Sequence, residues 1–131
     1  MIYLLDVNAL VALGFDSHQF HLRVATWVRA EGSPRLATCS ITEIGCVRVL
    51  AQTLVYDLSV TQARTLLLRL KRSPNAYFTF IPDGNDVSHL PGWVKTSKQI
   101  TDGHLVKLAS VNGAVLTTLD ENIPGSYVIP L

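Results

Sequence analysis

Ile2-Tyr3-Leu4-Leu5-Asp6-Val7-Asn8 decides the fold of this chain. Its first four residues are a short, continuous apolar run, the pattern of a strand buried on both faces of a parallel sheet. A carboxylate follows at once, where such sheets present groups to ligands. Three other acids stand in comparable places: Glu43 in Ser40-Ile41-Thr42-Glu43, Asp102 in Ile100-Thr101-Asp102, and Asp120 after Val115-Leu116-Thr117-Thr118-Leu119. Each has an ordinary structural explanation. Asp6 could cap a helix, Ser40-x-x-Glu43 could be a capping box, Asp102 could complement a helix dipole, and Asp120 could be a turn residue. Their coincidence points elsewhere, because a parallel sheet directs such positions to one rim. Four carboxylates gathered there repel one another unless a hard cation sits among them.

The rest of the chain alternates strand-like and helical segments, which implies βαβ units and a three-layer α/β/α fold around a central, mostly parallel sheet. Asn8 to Phe15 reads as a brief helix. Gln19 to Ala30 is a second, with Phe20, Val24, Trp27 and Val28 as its apolar stripe, stopped at Glu31-Gly32-Ser33-Pro34. Arg35 to Thr38 is a strand, and Ser40 is the expected cap of a helix to Gln52. Ser59-Val60-Thr61-Gln62 has the form of a capping box for a helix to Arg72. Tyr77 to Ile81 is strand-like, while Asn85 to Gln99 has no clean period. Thr101 is the expected cap of a helix to Asn112, with Gly113 past its end, and strands follow at Val115 to Thr118 and Tyr127 to Ile129.

Composition fits one domain spanning 1–131. The apolar fraction is 48%, the charged fraction 16% and the net charge +1. These values exclude a disordered chain and a polybasic nucleic-acid coat, but a local basic rim could still serve a polyanion. Asp6 and Asp16 break the apolar N-terminus, so no signal peptide is expected, and no run is long enough for a membrane helix. Cys39 and Cys46 have no CxxC spacing and would lie roughly 10 Å apart if the helix begins between them. Both are read as reduced thiols of a cytoplasmic protein.

Leu5-Asp6-Val7-Asn8, Ser40-Ile41-Thr42-Glu43, Thr101-Asp102-Gly103-His104-Leu105 and Thr118-Leu119-Asp120, in that order, resemble the PIN-domain ribonucleases and, more narrowly, the VapC-type toxins of bacterial toxin–antitoxin pairs. The likeness runs over nearly the whole chain. It implies a metal-dependent endoribonuclease in which Asp6, Glu43, Asp102 and Asp120 bind magnesium or manganese, with Asn8 and Thr118 in support. It also implies an RNA substrate, a cognate antitoxin covering the acidic groove, and a homodimer. Asn122 departs from the pattern, since many relatives carry a further acid there.

The chemistry agrees with the residues taken alone. Magnesium prefers oxygen ligands, and a bound metal can activate water toward a phosphodiester. Arg64, Arg69, Lys71 and Arg72 form a basic stripe that could meet RNA phosphates. Arg48 could balance the acidic pocket or steady RNA, and His104 could touch substrate. His18 and His21 read as surface or packing residues. The helices at Phe20 to Trp27 and Ser40 to Leu50 are the expected dimer surfaces, because the second is apolar on more than one face. Two other functions remain open. One is a phosphatase or phosphotransferase with Asp6 as nucleophile, although the second Asp usual two residues on is Asn8 here. The other is a non-catalytic RNA-binding module of the same fold.

Overall fold

The computed structural model describes all 131 residues. Strands β1 (Ile2–Leu5), β2 (Arg35–Thr38), β3 (Tyr77–Phe80), β4 (Ala114–Thr118) and β5 (Tyr127–Val128) form a single sheet in the order β3-β2-β1-β4-β5. Every pairing is parallel, so the expected mostly parallel sheet is wholly so. The helices are α1 (Val7–Gly14), α2 (His21–Glu31), α3 (Ser40–Gln52), α4 (Val60–Lys71) and α5 (Ile100–Val111).

Alternation along the strands divides the core in two. Leu5 and Leu36 face one side, where they meet Leu10, Val24, Trp27, Cys46, Leu50 and Leu67 from α1 to α4. Leu4, Ala37 and Leu116 face the other, where Leu105, Leu108 and Ala109 of α5 cover them. β1 is central and loses both faces to protein, which is why its sequence is apolar without a break. The result is the three-layer α/β/α arrangement expected from the sequence.

Several ends differ from expectation for local reasons. Cys39, not Ser40, is the N-cap of α3, because the Cys39 amide donates to Thr42 Oγ1 at 3.0 Å. The threonine hydroxyl thus takes the place proposed for Glu43 in a capping box. Thr101 does not cap α5 either. A 3₁₀ turn at Ser97–Gln99 leads into that helix, and Gln99 Oε1 accepts from the Lys95 and Thr96 amides at 2.7 and 3.1 Å. The irregular stretch 85–99 otherwise contains a second 3₁₀ turn, Val87–His89. The Ser59–Gln62 box at α4 forms as expected, with bonds of 2.9 and 3.0 Å, and α2 ends on Gly32 in the left-handed region.

Trp27 is only 4% exposed and belongs to its own chain. Its indole donates to Tyr127 Oη at 3.1 Å and stands edge-on to Tyr3, with ring centroids 5.0 Å apart. That cluster ties α2 to the edge strand β5 and removes Trp27 from the expected dimer surface. Both cysteines are buried and unpaired. Burial, helped by the Glu43 charge, pushes the Cys46 thiol up to about 12, so it is an inert apolar group.

Gly103, beside Asp102, lets Val94 and Pro91 of the irregular connection rest directly on α5, and a Cβ there would collide with Val94. Gly103→Ala should therefore cost about 1–3 kcal/mol of stability. Gly92→Ala, in open space, should stay within about 0.5 kcal/mol. Urea unfolding of both variants checks the pair.

Candidate active site

The carboxyl ends of β2, β1 and β4 lie side by side, and the acids follow from that register. Asp6 ends β1 and caps α1, its Oδ1 accepting from the Ala9 amide at 2.9 Å. Its Oδ2 accepts from Thr118 Oγ1 at 2.5 Å, so the last residue of β4 is bonded to the residue after β1. The same Thr118 oxygen accepts from the Asp120 amide at 3.0 Å. One fully buried hydroxyl therefore sets the positions of two acids. Asp120 is itself exposed, and its Oδ1 accepts from the Asn122 amide at 2.8 Å, so its turn role and its place at the rim coexist. Asp102 reaches the rim differently, from the first turn of α5 after the long connection from β3.

Asp6 is 8% exposed. Desolvation raises its carboxyl above the usual range, the Thr118 and Ala9 hydrogen bonds oppose the rise, and the charges of Asp102 and Asp120 add to it. Asp102 is raised by desolvation and then by Asp120. These three acids therefore share one electrostatic neighbourhood.

Glu43 is held apart from that set. Its Oε2 accepts from Thr38 Oγ1 at 2.5 Å and from Lys71 Nζ at 2.6 Å, so it is already neutralised by the last residue of α4. Lys71 also lies 5.6 Å from the Phe80 ring centroid, a cation–π contact that steadies it. Thr38 is the residue that sequence reasoning missed here, and for Lys71, read as one of a basic stripe, it missed the pairing with Glu43. A signal existed for Lys71: it stands seven residues after Arg64, two helical turns on, and so shares its face. Arg64 lines a groove of about 380 Å³ with Glu43, Ile44, Val47, Leu67 and Leu68.

The other basic candidates scatter. Arg69 lines a different cleft with Gly14, Thr61 and Gln62. Arg72 is exposed at the end of α4, and Arg48 is exposed without an acidic partner, so the expected balance of the pocket comes from Lys71 instead. His104 Nε2 is bonded to Asp83 Oδ2, both side chains being largely covered. It fastens the connection after β3 to α5 and is not free to meet a substrate. Asn8 is exposed on the first turn of α1.

The donor chemistry suits a hard divalent cation: three mutually repelling carboxylates, all oxygen, with Asp6 kept dry and oriented. As they stand they do not grip one ion, since no three His, Cys, Asp or Glu side chains are grouped closely enough to hold a metal. Neither Asp102 nor Asp120 is bonded to another side chain, and the Asp120 carboxylate is held only by the Asn122 amide.

No family model matches the chain. Individual relatives do. Ribonuclease VapC38 of Mycobacterium tuberculosis is 37% identical over 127 residues, covering 92% of this chain and 86% of that protein. Ribonuclease VapC39 of the same species is 35% identical, covering 96% and 94%. The chain belongs to the VapC ribonucleases. Among solved structures, the VapC fold recurs in M. tuberculosis VapC20, a toxin that cleaves the sarcin–ricin loop. It has a TM-score of 0.66 and 12% identity over 98% of this chain and 99% of the other. Rickettsia felis VapBC2, solved bound to a DNA fragment from its promoter, gives a TM-score of 0.56 at 13% identity over 98% and 97%. Membership in the VapC ribonucleases sets the Asp6-nucleophile phosphatase reading aside.

The raised carboxyls have a consequence for stability. A carboxyl raised in the folded state holds a proton that the unfolded chain has released, so its contribution is complete below the ordinary value of 3.8 and is lost as pH rises through the raised one. Asp83 and Asp86, which are lowered, act only at more acidic pH. In the metal-free protein these two carboxyls should therefore lower the melting temperature as pH rises through their raised values, while His18, held below its ordinary value, acts in the opposite sense. Asp102→Asn should raise the melting temperature at about pH 7.5 and flatten that fall in calorimetric scans.

Proposed function

We propose that this chain is the toxin of a toxin–antitoxin pair, an endoribonuclease dependent on magnesium or manganese. The observation that carries the reading is the convergence of buried Asp6 with Asp102 and Asp120 at the carboxyl rim of a VapC ribonuclease. Asp6 and Asp102 are the central ligands, and Asp120 and Glu43 complete the site. When bound there, the metal supplies Lewis-acid activation of water and stabilises charge on the scissile phosphodiester.

The protein residues do the positioning. Thr118 and the Ala9 amide fix the Asp6 carboxylate, and Thr118 also fixes the turn that carries Asp120. Thr38 and Lys71 orient Glu43 beside the site. Arg64 and Lys71 place positive charge along the approach to the acids, where the RNA backbone would run. Arg48 and Arg72 are peripheral phosphate contacts in this reading, and Asn8 borders the acids.

The antitoxin occupies the acidic cleft and the apolar groove between α3 and α4 that ends on Glu43, where Ile44 is 57% and Leu68 45% exposed. A homodimer uses the face of α2 that carries Leu22, 73% exposed. The protein acts in the cytoplasm, in keeping with two reduced buried cysteines. No helix is long and apolar enough to cross a membrane.

Cleavage should require added magnesium or manganese, stop with chelator, and leave 5′-phosphate and 3′-hydroxyl ends, because water rather than the ribose 2′-hydroxyl attacks phosphorus. Asp6→Asn should keep the α1 cap and the fold yet lose at least about 100-fold in rate. Chelator-insensitive cleavage leaving 2′,3′-cyclic phosphate would overturn the mechanism. Sedimentation at micromolar concentration should give a dimer, and Leu22→Asp should give a monomer.

A further inference from the structure

A cleft of about 300 Å³ opens directly beside the acidic rim, lined by Asn8, His18, Gln19, Phe20, Leu119 and Asp120. Asp120 is a wall of the cleft and also one of the acids that act on Asp6 and Asp102. Nothing in its lining is a lysine or arginine, and one end is a carboxylate, so it is not built for a phosphate. Its other groups have a different chemistry.

Phe20 is 39% exposed, so part of its aromatic face is open beside the rim. The His18 ring lies 5.9 Å from it, tilted by 46°. His18 is locked from within: its Nδ1 accepts from the Phe20 amide at 3.0 Å, which leaves Nε2–H as a donor. Burial, and next the His21 charge, keep the imidazole below its ordinary pKa and therefore neutral at pH 7. The side-chain amides of Asn8 and Gln19 have no hydrogen-bond partner in the protein, and each offers a donor pair and an acceptor.

A flat ligand with two π faces and a polar edge, carrying no charge of its own, fits this set. We propose that the cleft receives one unpaired nucleobase of the RNA, adjoining the phosphodiester at the acidic rim, stacked on Phe20 with its edge toward Asn8 and Gln19. Histidine and phenylalanine are ordinary stacking platforms for splayed bases. The volume is at the lower end for ligand sites, enough for one base and too small for a base pair with its backbone. The shared Asp120 makes base and scissile phosphate neighbours, so the cleft selects the nucleotide next to the cut. The proposal rests on the ribonuclease reading for its choice of polymer.

Binding can be measured apart from catalysis. Asp102→Asn protein is titrated by NMR with the pentaribonucleotides rA5, rC5 and rU5, and with a pentamer of abasic ribose phosphate. At least one base-bearing pentamer should shift the Phe20 and His18 ring signals and the Asn8 and Gln19 side-chain amides, and the abasic chain should leave them unmoved. Phe20→Leu, which keeps apolar bulk but removes the π face, should weaken that pentamer about 5- to 100-fold, and Phe20→Trp should restore it. Far-UV circular dichroism of both variants establishes that α2 is intact, and Gln19→Ala, at an exposed position, is the alternative if Phe20→Leu unfolds. Unmoved cleft signals with every pentamer, or equal binding of the abasic chain, would overturn the base site and leave the ribonuclease reading standing. Cleft shifts in a protein whose unmutated form cleaves no RNA with manganese would instead overturn the ribonuclease reading.

Discussion

The Asp6 carboxylate is the point on which the site depends. It is a charge placed after the buried Leu4 and Leu5 of the central strand, and an isolated carboxylate in such a position would be strongly destabilising. Two donors make it tolerable: the Ala9 amide of the helix it caps and the Thr118 hydroxyl of the next strand. The first joins β1 to α1 and the second joins β1 to β4 at their carboxyl ends. A single buried group thus fixes the exit of the chain from the sheet on both sides, and its desolvation raises its carboxyl above the usual range.

Around that point the charges are separated. Asp6, Asp102 and Asp120 remain mutually uncompensated, while Glu43 has its own counter-ion in Lys71. The only other ion pair, His104 with Asp83, sits where the connection from β3 meets α5. Both pairs join different elements, 28 and 21 residues apart in sequence. The net charge of +1 conceals this separation of a paired acid from three unpaired ones.

The clefts flanking the acids differ in kind. On the Glu43 side the wall is apolar with Arg64 at its margin, a surface suited to a protein segment or a phosphate chain. On the Asp120 side it is aromatic and amide-rich, with no cation. A polynucleotide crossing the rim would find its backbone favoured on one side and a base favoured on the other.

Short-range patterns in the sequence were sufficient for the sheet. The unbroken apolar run at β1, the apolar stripe of α2, the Ser59–Gln62 box and the order of acids after buried strands all reflect forces acting within one element or its immediate neighbour. Capping at Cys39 and Gln99 was not legible, because Ser40 and Thr101 read as equally good local caps, whereas the Cys39–Thr42 bond and the 3₁₀ turn at Ser97–Gln99 start both helices earlier. Long-range partners were legible only in part. Asp6 could be picked out, but its Thr118 bond spans 112 residues. Lys71 could be seen as one of a basic stripe, but not that it alone would turn to Glu43 while Arg69 faced another cleft. The sequence by itself determined which acids end which strands, because that follows from hydrophobic period and chain order. Only the tertiary structure decided which charges meet, because a hydrogen bond or ion pair depends on distances of a few ångström between elements whose separation no local pattern encodes.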